Sequence, residues 1–456
     1  MSWLRNAAQW LFYVALFFAP WAYGGTKSWS IKLIDTLLAG VLLLWVIELL
    51  LNRRKPTFPR FLLFLLIALL AIGGWMVLNA GAILDTDFSV FVAIAKSVPR
   101  APGSVDYVLS AAWMIRAALL SGTILFVADL SQDNRALVHL YDAIGFVAGS
   151  IALLGLLQKA TGAPMIFWQS SPEGPIKTFF ATFYYHGNAG AFLNLVLPLT
   201  AGLALRAFTA HSGPNVRAMW AACFVLCLAS VAANTSRMAQ FVALLIIIAL
   251  GWRLGPALLH RLSQMEGKAA LGGAAAFLFL LYALAQASQL DQPLRRWQQL
   301  MEYIPNDSRW LAARVAIRIL PEAGAVGFGP GTFRVLFPVY NNAHKAPAPG
   351  FWRFLHEDYL QTLLEWGWLG SALWALLLFG GIVFAICNFS RPRAQNWSQR
   401  RRLMLPLVVI ALCGVAVHAL VDFTFQIASI QLYVATYLGI CWGSGSWAAE
   451  TEHGRD

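Results

Sequence analysis

The sequence predicts an all-α polytopic membrane protein with about 12 transmembrane helices and one large polar loop. Three observations predict it. Hydrophobic residues make up 59% of the 456 residues and charged residues only 12%, whereas a soluble domain is about a quarter charged. The mean hydropathy is +0.64, so lipid must replace water over much of the surface. The apolar residues also gather into runs of about 20, the length that a bilayer core requires. In water a chain of this length would form about three domains; in a membrane it fits one bundle.

The expected spans are 8–24, 31–52, 61–79, 108–129, 137–159, 187–207, 217–233, 238–254, 269–287, 366–389, 403–424 and 426–446. The first follows only Arg5 and ends without a small-residue cleavage site. It reads as a retained helix rather than a cleaved signal. Spans seven and eight meet in the tight polar turn Asn234 to Arg237, and the last two meet near Asp422. The chain thus divides into helices one to nine over 1–287, a loop domain with short helices over 288–365, helices ten to twelve over 366–446, and a tail, 447–456.

Orientation follows from Lys and Arg. Arg53, Arg54, Lys55 and Arg60 lie in one short loop, Arg253, Arg261 and Lys268 in another, and Arg391, Arg393, Arg400, Arg401 and Arg402 in a third. All three are cytoplasmic if both termini are. The polar stretches 80–107, 160–186, 234–237 and 288–365 then face the other side. The net charge of +12 is therefore topogenic, and no nucleic-acid partner is expected. The five cysteines fall within or at the ends of apolar runs, with no CxxC pair. That excludes a disulfide framework or a zinc site.

Long ordered loops on a rigid scaffold usually carry function. The 288–365 loop holds Arg295, Arg296, Arg309, Arg314, Arg318, Arg334, Lys345 and Arg353, against the positive-inside trend. They either bind an anionic substrate, which suits the planar guanidinium fork, or pair with neighbouring acids and lipid headgroups. Arg237 at its span junction either clamps a phosphate or snorkels to the interface. Arg116, inside the fourth span, points into the same cavity or merely reaches the surface. Lys177, Tyr184, Tyr185, His186 and Asn188 precede or open the sixth span as cavity lining or interfacial anchors.

The run Gly327-Phe328-Gly329-Pro330-Gly331-Thr332-Phe333 reads as a turn whose glycines would let backbone amides approach a ligand. It is not a P-loop, since no Gly-Lys-Ser/Thr follows. His356, in His356-Glu357-Asp358-Tyr359-Leu360-Gln361 before the tenth span, suits proton transfer, or the segment is an interfacial helix. His418 and Asp422 stand at i and i+4 and would share a helix face. No carboxylate or histidine cluster suggests a metal.

These pieces occur in an order that resembles the bacterial O-antigen ligase and polymerase family of lipid-linked glycan transferases. The matching parts are Tyr185-His186-Gly187-Asn188, Thr235-Ser236-Arg237, the glycine run 327–333, His356 to Gln361 with Glu365 and Gly370, and His418 to Asp422. The resemblance spans roughly 180–430. It implies an architecture similar to GT-C type glycosyltransferases, placed in the bacterial inner membrane with the active site on the periplasmic face. It implies a glycan donor on undecaprenyl diphosphate, and an acceptor sugar hydroxyl on lipid A core in ligases or on a second lipid-linked glycan in polymerases. Transfer would invert the anomeric carbon without metal or other cofactor. Arg237 would bind the diphosphate and His356 would be the candidate base. Arg116, Arg314, Arg318, Lys177, Tyr185, Asn188, Asp358, Tyr359 and Gln361 are the expected substrate-binding residues. The competing class is a transporter, but no internal repeat of the kind such bundles favour is visible, and the polar residues cluster at one face.

Overall fold

A computed structural model describes residues 2–85, 87, 90–170, 178–210, 212–263, 291–299, 307–344 and 347–448. Apolar runs punctuated by short polar caps give the helices α1 (Ser2–Trp21), α2 (Ser28–Leu51), α3 (Arg60–Leu78), α4 (Tyr107–Leu130), α5 (Asn134–Ala160), α6 (His186–Thr209), α7 (Pro214–Ala233) and α8 (Arg237–Ser263). Three short helices follow, α9 (Asp291–Gln298), α10 (Ser308–Ala323) and α11 (Phe333–Asn342). Then come α12 (Asp358–Phe389), α13 (Gln399–His418) and α14 (Ala428–Gly443). A small antiparallel hairpin, β1 (Ala82–Asp85) with β2 (Val90–Ala93), stands between α3 and α4.

Among the described residues, nine helices are long and apolar enough to cross a membrane: α2 to α8, α12 and α13. α1 and α14 also run through the bundle; α14, with 16 residues, spans about 24 Å. Each expected span in the described part has its helix, in the expected order. The ninth, 269–287, lies outside the described residues. The protein is an all-α, multi-pass membrane bundle.

Side-chain caps set several helix starts by satisfying amides that have no intrahelical partner. Asp106 accepts from the Leu109 amide at 2.7 Å and Glu357 from that of Leu360 at 2.6 Å; Asp307 caps α10 and Ser398 caps α13. The core centres on α6, buried along most of its length and packed against α5, α7, α8 and α13. α14 lies against α4 and α12, and α1 against α2 and α5.

Two of the boundaries that differ from the sequence expectation shape the site. The tenth span begins not at 366 but at Asp358, and α12 is broken at Gly367 (φ 61°, ψ −169°). Its 32 residues make about 48 Å of helix, well beyond a hydrocarbon core of about 30 Å. The turns before Gly367 therefore project out of the membrane. The eleventh helix stops at His418, so Asp422 lies in the turn that follows rather than on the helix.

Candidate active site

The ends of α6, α8 and α12 meet at one end of the bundle. Tyr185 caps the start of α6. Its hydroxyl accepts from Arg309 Nη2 at 2.9 Å, and Arg309 Nη1 also reaches the Val421 carbonyl at 3.3 Å. His186 Nε2 lies 2.9 Å from Arg296 Nη1, which also reaches the Thr235 carbonyl. Arg237, the first residue of α8, donates to the Arg296 carbonyl at 3.3 Å. Arg237 forms no ion pair with any described residue. Arg309 and Arg296 thus meet the start of α6, and Arg237 adjoins Arg296.

His356 also stands against Tyr185, with the two rings edge to face at 5.7 Å. Phe423 at 4.5 Å and Trp352 at 5.9 Å meet it in the same geometry. Its Nδ1 lies 3.2 Å from Asp422 Oδ1. Burial would raise the Asp422 carboxyl, but the hydrogen bond to His356 and the nearby His418 and Arg309 hold it below its ordinary value. An ionised Asp422 selects the tautomer with the proton on Nδ1, which leaves the Nε2 lone pair to accept a proton. The His356 side chain is 22% exposed and Asp422 only 3%, so the imidazole is accessible while its partner is enclosed. Burial would lower the Arg309 guanidinium, yet Tyr185, Asp422 and Asp307 around it raise it, so it stays cationic.

His356 sits at φ +61°, a conformation that costs a non-glycine residue energy. Asp358, Tyr359 and Gln361 hold the loop that carries it. Asp358 is buried and accepts from the Phe425 amide, Gln426 Nε2 and Thr424 Oγ1. Tyr359 donates to the Ala416 carbonyl at 2.7 Å. Gln361 Oε1 accepts from the Leu355 amide and its Nε2 donates to Glu365.

The remaining sequence candidates lie elsewhere. Arg116 pairs with Asp35 of α2 at 3.3 Å and ties two helices together. Arg314 and Arg318 project from the exposed face of α10, with Arg318 Nη1 2.8 Å from His344 Nε2. Asn188 is buried near the start of α6, and its Oδ1 has no partner among the described residues. Lys177 lies outside the described residues. His418 and Asp422 approach only to 3.9 Å, and the close partner of Asp422 is His356.

The glycine run carries a structural task. The Gly331 and Phe333 amides donate to the Glu365 carboxylate at 3.0 and 3.1 Å, so these donors are spent inside the protein. Phe328 and Gly329 amides donate to the Leu364 and Glu365 carbonyls. The run straps the 288–365 loop to the break in α12.

Arg296 and Arg309, two of the eight loop cations, and Asp422, expected opposite His418, are singled out as site residues by the fold. The signal for the arginines was helical period: Ala312, Val315, Ala316 and Ile319 form the buried face of α10, which sends Arg314 and Arg318 outward.

The fold and this cluster define a polytopic membrane protein with a histidine and several arginines gathered at one end of its helices. Residues 222–375 match the O-antigen ligase family, so this part of the chain is similar to enzymes of the O-antigen ligase and polymerase kind, a family that acts on lipid-linked glycans. The match takes in Arg237, Arg296, Arg309 and His356; Tyr185, His186 and Asp422 join the site from outside it. No curated protein matches the chain significantly.

Proposed function

We propose that the protein is an O-antigen ligase-like glycosyltransferase that moves a glycan from undecaprenyl diphosphate to a sugar hydroxyl of lipid A core, at the periplasmic face of the bacterial inner membrane. The observation that carries this reading is the Asp422–His356 pair linked through Tyr185 and His186 to Arg309, Arg296 and Arg237.

The acceptor hydroxyl gives its proton to His356 Nε2 as its oxygen attacks the anomeric carbon. The bond from that carbon to the diphosphate oxygen breaks, and both bonding electrons leave with the lipid diphosphate. Attack from the face opposite the leaving group inverts the anomeric centre. Negative charge grows on the diphosphate, and preorganised guanidiniums in a water-poor site stabilise it more in the transition state than in the ground state. A base of this kind contributes about 10²–10⁴-fold. Asp422 holds the imidazole in position and stabilises the imidazolium, as the carboxylate of a catalytic triad does.

The test supplies purified protein in nanodiscs with an undecaprenyl-diphosphate glycan, with and without lipid A core. Glycan appearing on lipid A core, and lost in His356→Ala, is the expected result. Lengthened lipid-linked glycan without need of lipid A core would make the protein a polymerase instead. Transfer that survives His356→Ala would remove His356 as the base.

A further inference from the structure

A cavity of about 400 Å³ opens between α4, α12 and α14, and neither His356 nor the arginines line it. Its upper end is lined by Tyr359, Phe425 and Gln426, three or four residues along the chain from His356 and Asp422. Below them Trp113, Trp366 and Trp374 form an edge-to-face set with centroids 5.5–6.0 Å apart. The flank away from the bundle is open. Trp368 and Phe379 are exposed, as are Ala372 and Ala375, and on a membrane span exposed means facing lipid.

Three features say what fits. First, the wall is apolar and opens sideways into the bilayer, so its occupant is a hydrocarbon chain that arrives from the membrane plane. Second, the arginines belong to α8, α9 and α10, whereas the cavity belongs to α4, α12 and α14. A diphosphate held by the former leaves the cavity to the other substrate. Third, a methylene fills about the liquid-volume share of a water molecule, roughly 30 Å³. The cavity therefore takes on the order of a dozen methylenes, within the ordinary range for ligand pockets. That is one acyl chain; an undecaprenyl chain overfills it. The depth agrees. Counting back from Phe389 through about 20 residues of core-spanning helix puts the membrane surface near Leu369, so the cavity runs from just outside that surface, at Tyr359 to Trp366, into the outer part of the hydrocarbon layer.

We propose that this cavity holds one acyl chain of the acceptor lipid and so seats the acceptor sugar beside His356. The inference rests on the transfer reading above and makes the acceptor an acylated glycolipid rather than a second polyprenyl-linked glycan.

The experiment uses full-length protein in nanodiscs and a lipid A core analogue with a diazirine in one acyl chain. After illumination, labelled peptides are mapped in the wild type and in Ala372→Trp and Ala375→Trp, which close the lateral mouth from exposed positions. Label concentrated on α12 and α14, and reduced about tenfold by the tryptophans, is the expected result. In transfer assays the same variants should raise KM for the acylated acceptor about tenfold while kcat falls much less. Label spread evenly over the lipid-facing helices, or unchanged in both variants, would overturn the proposal. So would equal labelling of the same wall by a polyprenyl-diphosphate photoprobe. Transfer without cavity label would sink the chain site and leave the transfer reading standing. Cavity label lost in the variants, without transfer to any acceptor, would uphold the chain site and sink the transfer reading.

Discussion

Within the site, one carboxylate organises the chemistry. Asp422 is almost wholly enclosed, so its charge acts at low screening on the imidazole beside it. Asp422→Asn keeps an oxygen at the same place but removes the charge that supports an imidazolium. Transfer in that variant should fall about 10- to 100-fold in kcat, with KM nearly unchanged; a fall in KM alone would refute the role. The same carboxylate sets an acid limit to stability. Its folded value lies below the ordinary one, so its contribution is fully present above the unfolded range near 3.9 and is lost as pH falls through the folded value. Thermal unfolding in detergent should show the wild type losing more between neutral pH and about pH 3 than Asp422→Asn does. At Arg237 the fork matters as much as the charge. Arg237→Lys should lose about tenfold of transfer and Arg237→Ala about 10²–10³-fold, read from product formation at saturating acceptor. Sequence spacing pairs Asp422 with His418 on one helix face. The helix ends at His418, and the following turn swings the carboxylate to His356, a reversal that hydropathy does not encode.

Among the elements, α12 shows why a motif with chemical promise turned out to be architecture. Gly327 and Gly367, both at positive φ, face each other's strand of backbone. A Cβ on Gly367 would strike the Ala325 backbone and one on Gly327 the Glu365 backbone. Only glycine allows the strap and the broken helix to come this close. Gly367→Ala should therefore cost on the order of 1–3 kcal/mol from its backbone conformation alone, seen as a lower melting temperature in detergent. Glu365→Ala should cost a similar amount, about 1–3 kcal/mol, by leaving the Gly331 and Phe333 amides buried without an acceptor. An unchanged melting temperature in both would mean that the strap is not anchored there. From sequence the glycines read as a ligand-approach loop, since the same permissive backbone serves a bound phosphate or a neighbouring strand. What could be read in advance was the helical face of α10, whose apolar period turns Arg314 and Arg318 to the outside. The inward partner, Arg309, depends on how that helix docks against Val421 and Tyr185, which is tertiary.

Across the whole molecule, charge and site separate to opposite ends of one bundle. Helix order was legible because each span must bury its backbone polar groups within itself, which writes a long apolar run into the chain. Several site residues could be named from motifs, but their pairing could not, because Tyr185, Arg237, Arg309, His356 and Asp422 come from five separate segments joined only by packing. The end away from the site collects Arg53, Arg54, Lys55, Arg60, Arg253, Arg391, Arg393, Arg400, Arg401 and Arg402. Some of these also brace the fold: Arg54 bridges Glu48 and Asp129 at 2.9 and 2.7 Å, and Arg401 Nη2 donates to the Ser131 and Gln132 carbonyls. The rest are exposed or half-exposed, as retained topogenic charges are. The arginines at the site end oppose that bias, and an anionic substrate gives them a reason to be there. The basic end should therefore face the cytoplasm and the His356 end the periplasm. Cysteine placed at Asp307, beside the site, should react with a membrane-impermeant maleimide added outside spheroplasts. Cysteine placed at Arg393 should react only after the membrane is opened, with the native cysteines replaced beforehand. The reverse pattern would turn the molecule over, leave the basic loops outside against the positive-inside trend, and move the proposed transfer to the cytoplasmic leaflet.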